Sequence, residues 1–194
     1  INGSELWVTD GTAQGTQLVK DIRPGAYDSL PSGFTELNGE LYFQAIDGIN
    51  GLELWVSDGT AQGTELVKDI RPSSSSYPEE FIVFGGKLYF RANDGINGSE
   101  LWVSDGTAQN TQLVKDIRPG TGNSYPQGFI VFGGKLYFRA NDGINGSELW
   151  VSDGTAQNTQ LVKDIRPGTG NSYPQGFIVF GGKLYFRAND GING

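Results

Sequence analysis

Glu-Leu-Trp-Val occurs four times in this chain of 194 residues, beginning at Glu5, Glu53, Glu100 and Glu148, so one unit recurs every 47 or 48 residues. A unit of that size, copied in tandem, cannot bury its apolar faces alone and must stack on its neighbours. The chain therefore reads as a single repeat array over 1–194, with units at 1–52, 53–99, 100–147 and 148–194. Glu100 to Gly146 returns without a change as Glu148 to Gly194, while the first two units differ from these and from each other. Such identity marks the duplication as recent or designed.

The third unit shows what is being repeated. Leu101 to Ser104 and Gln112 to Ile117 are strand-like runs joined by a loop that opens on Asp105-Gly106. Asp can bond to backbone amides ahead of it and Gly tolerates positive φ, which is turn chemistry. Arg118 to Pro126 is rich in Gly, Pro, Asn and Ser and makes a long connection. Phe129 to Phe132 and Lys135 to Ala140 then flank Gly133-Gly134, a tight-hairpin signal. Asn141 to Gly146 forms the last turn before the next unit. Each unit is thus four short antiparallel strands without helical periodicity. Apolar residues fill both alternating sets of Phe129 to Phe132, so both faces of these strands are expected to be buried. Twisted sheets packed face to face around an axis, as in propeller blades, achieve this. Phe129 to Phe132 is placed innermost and Gln112 to Ile117 outermost. On that order the chain starts with the outer half of one blade and ends with the inner half of another. The two halves must pair within the chain, between two chains, or head to tail in a polymer.

The chain has no Cys, His or Met. That excludes disulfides, thiolate nucleophiles, imidazole bases and soft-metal sites, and disfavours an enzyme. The net charge of -8 arises wholly in the first two units, since the last two each carry four acids and four bases. An acidic field repels phosphate backbones and anionic membranes, so nucleic acid is not expected as a partner. No apolar run approaches the ~20 residues of a membrane helix, so membrane insertion is not expected. Ile1 stands where a natural start has Met, so the chain reads as a processed, trimmed or excerpted piece of a longer array.

ELWVSDGT, LVKDIRPG and GGKLYFRANDG resemble the bacterial ELWxxDGT repeat, and the resemblance covers the whole chain. It implies a β-propeller. The order of hairpins is also similar to kelch blades. The first unit departs most, with Leu37-Asn38-Gly39-Glu40 where the others have Val-Phe-Gly-Gly-Lys, and with Gln44 where they have Arg.

The long connection and the Asn141 to Gly146 turn share one rim, which is the expected binding face. Tyr125, beside Asn123, and Tyr173, beside Asn171, offer the aromatic and amide pairing that grips sugars, and Tyr77 is their equivalent. Against this stands packing of the tyrosine over the sheet edge. Asp47, Asp94 and Asp142, with Asn145 and Glu148, supply hard oxygen ligands of the kind calcium takes. Asn and Gly at these positions are also what any turn selects, and no cofactor is otherwise indicated. Trp7, Trp55, Trp102 and Trp150 read as core residues between sheets, each needing an acceptor for its indole N–H. Arg139, on a largely apolar strand, is expected to pair with Asp116, Asp142 or Glu148.

The leading expectation is a non-enzymatic propeller scaffold for binding or adhesion, from a bacterial secreted or surface protein, with a glycan or protein ligand. A self-assembling structural repeat, whose partner is itself in a closed oligomer or filament, is the alternative. A designed or fragment propeller and a carbohydrate-binding lectin-like propeller are the others.

Overall fold

The computed structural model describes residues 2–192, and strands are the only regular elements among them. Ile1, 193 and 194, the extremes of the first and fourth units, lie outside the described residues. The first two strands, β1 (Leu6–Val8) and β2 (Gln17–Lys20), form a two-stranded sheet. Three four-stranded sheets follow in chain order. The first comprises β3 (Ser32–Leu37), β4 (Glu40–Ile46), β5 (Leu52–Ser57) and β6 (Glu65–Lys68). The second comprises β7 (Glu79–Phe84), β8 (Lys87–Asn93), β9 (Ser99–Ser104) and β10 (Gln112–Lys115). The third comprises β11 (Gln127–Phe132), β12 (Lys135–Asn141), β13 (Ser147–Ser152) and β14 (Gln160–Lys163). A last two-stranded sheet holds β15 (Gln175–Phe180) and β16 (Lys183–Arg187). All pairing is antiparallel between sequence neighbours.

The sheet boundaries fall inside the sequence units. The second, third and fourth Glu-Leu-Trp-Val motifs lie on the third strand of a four-stranded sheet and the first lies at β1, so a unit spans the outer half of one sheet and the inner half of the next. The central pair of each full sheet runs without a slip, with Phe138 opposite Trp150 and Ala140 opposite Glu148. The inner pair slips once, between Gln127 and Ile130, where Gly128 has φ +68°. Glycine is favoured there for a second reason, since Phe177 of β15 packs 3.3 Å from where a Cβ on Gly128 would sit. In the second sheet Glu80 takes this conformation instead, at φ +60°, and its carboxylate accepts the Gly128 amide of the next sheet at 2.9 Å.

The core lies between successive sheets. Leu54, Val56, Val67 and Ile70 of one sheet meet Leu88, Phe90, Ala92 and Trp102 of the next. The same pattern recurs one unit on, where Leu101, Val103, Val114 and Ile117 meet Leu136, Phe138, Ala140 and Trp150. Lysines on the outer strands stitch the sheets together. Lys68 Nζ donates to the Thr111 carbonyl at 2.6 Å and Lys115 Nζ to the Thr159 carbonyl at 2.8 Å.

Two expectations need correction. The innermost strands are less buried than their apolar composition implied, with Val83 37% and Val131 40% exposed. The second and third strands carry the core instead, because each has a hydrogen-bonded strand on both flanks, whereas the innermost strand is a sheet edge. Further, the first and last half-sheets do not pair with each other in this chain. The strands β3, β7, β11 and β15 lie side by side in chain order, and β15 makes no comparable contact with β3. The array is open.

Trp55, Trp102 and Trp150 are 5–6% exposed and sit in the inter-sheet cores, but Trp7 is 57% exposed, because the first full sheet covers the Leu6 face of β1 and nothing covers the Trp7 face. The three buried indole N–H groups meet no protein acceptor, contrary to expectation. Each lies in a core of largely hydrocarbon side chains.

Candidate functional site

The first residue of the repeat motif fixes the rim. Glu100 is fully buried, and its carboxylate accepts from the Ile117 amide at 2.9 Å, the Ser124 amide at 2.9 Å and the Ser124 hydroxyl at 2.6 Å. Glu53 holds Ile70 and Ser76, and Glu148 holds Ile165 and Ser172, in the same way. The long connection is thereby pinned at a serine, and the residue after that serine is the tyrosine of the rim. Tyr77, Tyr125 and Tyr173 have φ of +52°, +47° and +47°, each immediately before a proline. Proline disfavours helical geometry in the residue before it, and positive φ is costly for any bulky side chain, so this backbone is held under strain. The Tyr125 amide donating to the Ser99 carbonyl at 3.2 Å helps to hold it.

The result is a solvent-facing ring. Tyr77, Tyr125 and Tyr173 are 56%, 52% and 51% exposed, and the proline after each is buried. The proline, rather than the tyrosine, packs onto the sheet edge. An arginine from the preceding sheet approaches each of two rings, Arg91 at 6.0 Å from the centre of Tyr125 and Arg139 at 5.8 Å from that of Tyr173. Two equivalent clefts arise. One, of about 310 Å³, is lined by Tyr125, Gln127, Arg139, Asn141, Asn171 and Tyr173 among others. The other, of about 240 Å³, is lined by Tyr77, Glu79, Arg91, Asn93, Asn123 and Tyr125 among others. A third, about 270 Å³ beside Tyr173, Arg187 and Asn189, repeats one wall of this arrangement.

The equivalent clefts differ in charge. Arg91 is ion-paired with Glu79, whereas the position of Glu79 is Gln127 beside Arg139. The expected pairing of Arg139 with Asp116, Asp142 or Glu148 is not formed. Asp142 is used by its own turn, Glu148 by the serine clamp, and Asp116 accepts the Gly120 amide at 3.0 Å. Arg139 Nε is buried without a partner. Burial lowers the Arg139 pKa, while the Glu80 carboxylate and Tyr173 act to raise it.

Asn123 and Asn171 line these clefts, but their side-chain oxygens are committed. Asn123 Oδ1 accepts the Ser99 amide at 2.8 Å and Asn171 Oδ1 the Ser147 amide at 2.7 Å. Ser75 and Asp28 take that role in the earlier units, toward Leu52 and Ser4. The amide NH₂ is what the asparagines present.

The carboxylates weighed for calcium are not gathered. Asp142 Oδ1 accepts the amides of Ile144 and Asn145, at 2.9 and 2.7 Å, and Oδ2 accepts Asn145 Nδ2 at 2.7 Å. Asp47 and Asp94 repeat this turn. Burial acts to raise the Asp47, Asp94 and Asp142 pKa values, but these hydrogen bonds outweigh it and the net shift is downward. Glu148 points into the clamp, and among the described residues no three acidic groups form a cation site.

The clamp acids carry a pH dependence. Burial pushes the Glu53 and Glu100 carboxyls up to about 7, against the serine and backbone hydrogen bonds, which favour the anion. An acid that holds its proton more tightly folded than unfolded contributes its stability fully below the unfolded pKa. That contribution is lost as pH rises through the folded value. The thermal midpoint is therefore expected to fall between about pH 5 and about pH 8 at constant ionic strength. A midpoint that climbs over this interval, unchanged in slope by Glu53→Gln plus Glu100→Gln, contradicts the assignment.

No family model matches the chain, and no curated protein matches it. Among solved structures, the chain is similar to the crystal structure of the computationally designed Ika8 protein, at 16% identity and a TM-score of 0.47. The similarity covers 93% of this chain and 48% of that one, so the chain spans about half the length of the structure it matches.

Proposed function

We propose that this chain is a non-enzymatic β-propeller scaffold whose repeated rim clefts bind carbohydrate, as part of a bacterial secreted or surface protein. The carrying observation is the recurrence, one unit apart, of an exposed tyrosine facing an arginine across a cleft walled by asparagine. A sugar ring stacks on an aromatic face, and guanidinium and amide donors take its hydroxyl or carboxylate oxygens. Rigid presentation supports the reading, because the buried glutamate and the proline fix the tyrosine before any ligand arrives. Repetition supports it too, since weak sites at fixed spacing gain avidity. The propeller arrangement draws on the stacked four-stranded sheets, the side-by-side inner strands and the resemblance to the ELWxxDGT repeat. For the absence of enzymatic activity, the support is that the acids of this rim are spent on turns, on the serine clamp and, at Glu79 and Glu80, on Arg91 and the Gly128 amide.

The test is titration of the chain with neutral and acidic oligosaccharides, followed by a glycan array. Binding is expected to weaken about 10-fold in Tyr125→Ala, the loss of one stacking contact of ~1–1.5 kcal/mol. Arg139→Gln is expected to weaken acidic sugars more than neutral ones. An array without a hit, or a hit indifferent to Tyr125, removes this reading.

A further inference from the structure

The two half-sheets are complementary edges with a known register. The segment from Lys183 to Asn189 is identical in sequence to Lys135 to Asn141, of which Leu136 to Asn141 pair with the Ser147 to Ser152 strand. Glu5 to Val8 repeats Glu148 to Val151 of that strand. Three copies of this pairing within the chain agree residue for residue. Transferred to the free edges, the register sets Phe186 opposite Trp7, Ala188 opposite Glu5 and Asn189 opposite Ser4.

Side chains around both edges lack the partners their counterparts have. Trp7 is the exposed tryptophan, and the core on the outer face of the third sheet is the one without a tryptophan. Val162 there is 46% exposed, against 6% and 7% for Val67 and Val114. Tyr42 and Tyr89 each reach a turn glycine of the next sheet, with the hydroxyl 2.2 Å from where a Cβ on Gly106 or Gly154 would sit. Tyr185 is 48% exposed, and nothing lies near Gly11 or Gly59, the turn glycines left unvisited. Clefts of about 270 and 550 Å³ flank β1, the first lined by Trp7, Val8 and Gly59, the second by Leu6, Trp7 and Phe34.

We infer that β16 of one copy adds to β1 of a second copy in this register, and β16 of the second to β1 of the first, closing a two-chain ring of eight blades. Closure by one chain is disfavoured because the inner strands remain in an open row. Each chain brings three whole sheets and two halves, so closed rings come in multiples of four blades, and propellers run to about eight. Two is then the number of chains. The interface is two-fold symmetric and continues the packing seen at each internal junction. The inference rests on the propeller arrangement but not on the glycan reading, because the Arg139 cleft is formed within one chain.

The chain lacks cysteine, so one introduced pair reports the register without interference. Ser4→Cys with Asn189→Cys changes two exposed polar positions and leaves the cores untouched. Directly opposed residues stand within disulfide reach. Mild oxidation is expected to give a covalent dimer, and unmodified protein is expected to sediment at twice 20.9 kDa. Trp7→Ala is expected to raise the dimer dissociation constant about 30-fold. A covalently circular single chain, a ladder of sizes or an absence of cross-linking overturns the inference, whatever the glycan titration shows. Loss of glycan binding in a protein that still cross-links as a dimer overturns only the glycan reading.

Discussion

Trp102→Ala is expected to destabilise the array by about 3–5 kcal/mol, read as a lower urea midpoint with little change in slope. Trp102 is 5% exposed and packs against Leu54, Val56 and Leu88 from two sheets, so its removal opens a cavity at a junction that neither sheet can close alone. Trp102→Phe should cost clearly less than Ala, because it keeps most of the ring and removes an indole N–H that has no protein acceptor. At Trp7 the same alanine change acts on assembly and hardly on the chain's own packing. Equal losses from Trp102→Ala and Trp7→Ala in dilute, dissociated protein would show that the inter-sheet packing described for Trp102 is wrong.

Glu100→Ala is expected to cost a comparable amount, about 3–5 kcal/mol, for a different reason. The Ile117 amide loses its acceptor in a buried place, and the Ser124 amide and hydroxyl lose their shorter bonds and keep only those to the Ser99 carbonyl at 3.1 and 3.3 Å. Each unsatisfied buried donor costs about 1–3 kcal/mol, partly recovered as water enters. The loss should be local as well as global. Amide exchange at Ser124 and Tyr125 is expected to accelerate before the strands open, and glycan affinity should fall although Glu100 touches no ligand. Glu100→Gln retains one acceptor oxygen and should fall between. Unaltered exchange at Tyr125 in Glu100→Ala would mean that proline and the strand ends hold the loop without the glutamate.

Much of this architecture was legible because turns announce themselves locally. Gly133-Gly134, Asp105-Gly106 and the Asn141 turn mark strand ends within a few residues, and the position of the motif within the unit revealed the half-sheets at both ends. The tyrosines and asparagines of the rim were visible for the same reason. Their mechanism was not. Glu100 meets Ser124 across 24 residues and Ile117 across 17, and nothing in the composition of Glu-Leu-Trp-Val distinguishes a buried anchor from a surface acid. Arg139 was assigned a carboxylate on the rule that buried cations are paired. Asp142 and Glu148 are engaged by nearer donors and Asp116 bonds through one oxygen to the Gly120 amide, a placement that only three dimensions reveal. The inner strands misled by composition, since apolar residues beside an open axis are not enclosed merely by being apolar.

Tyr125 lines the cleft of Arg91 and also that of Arg139. Walls are thus held in common, and the number of clefts is set by the junctions rather than the units. An open row has one junction fewer than it has rim loops, and a closed row has as many. Joining the ends would therefore add capacity for ligand without adding a single residue. The added positions would differ in character, because the loop that meets the last arginine carries Leu30 where the others carry tyrosine.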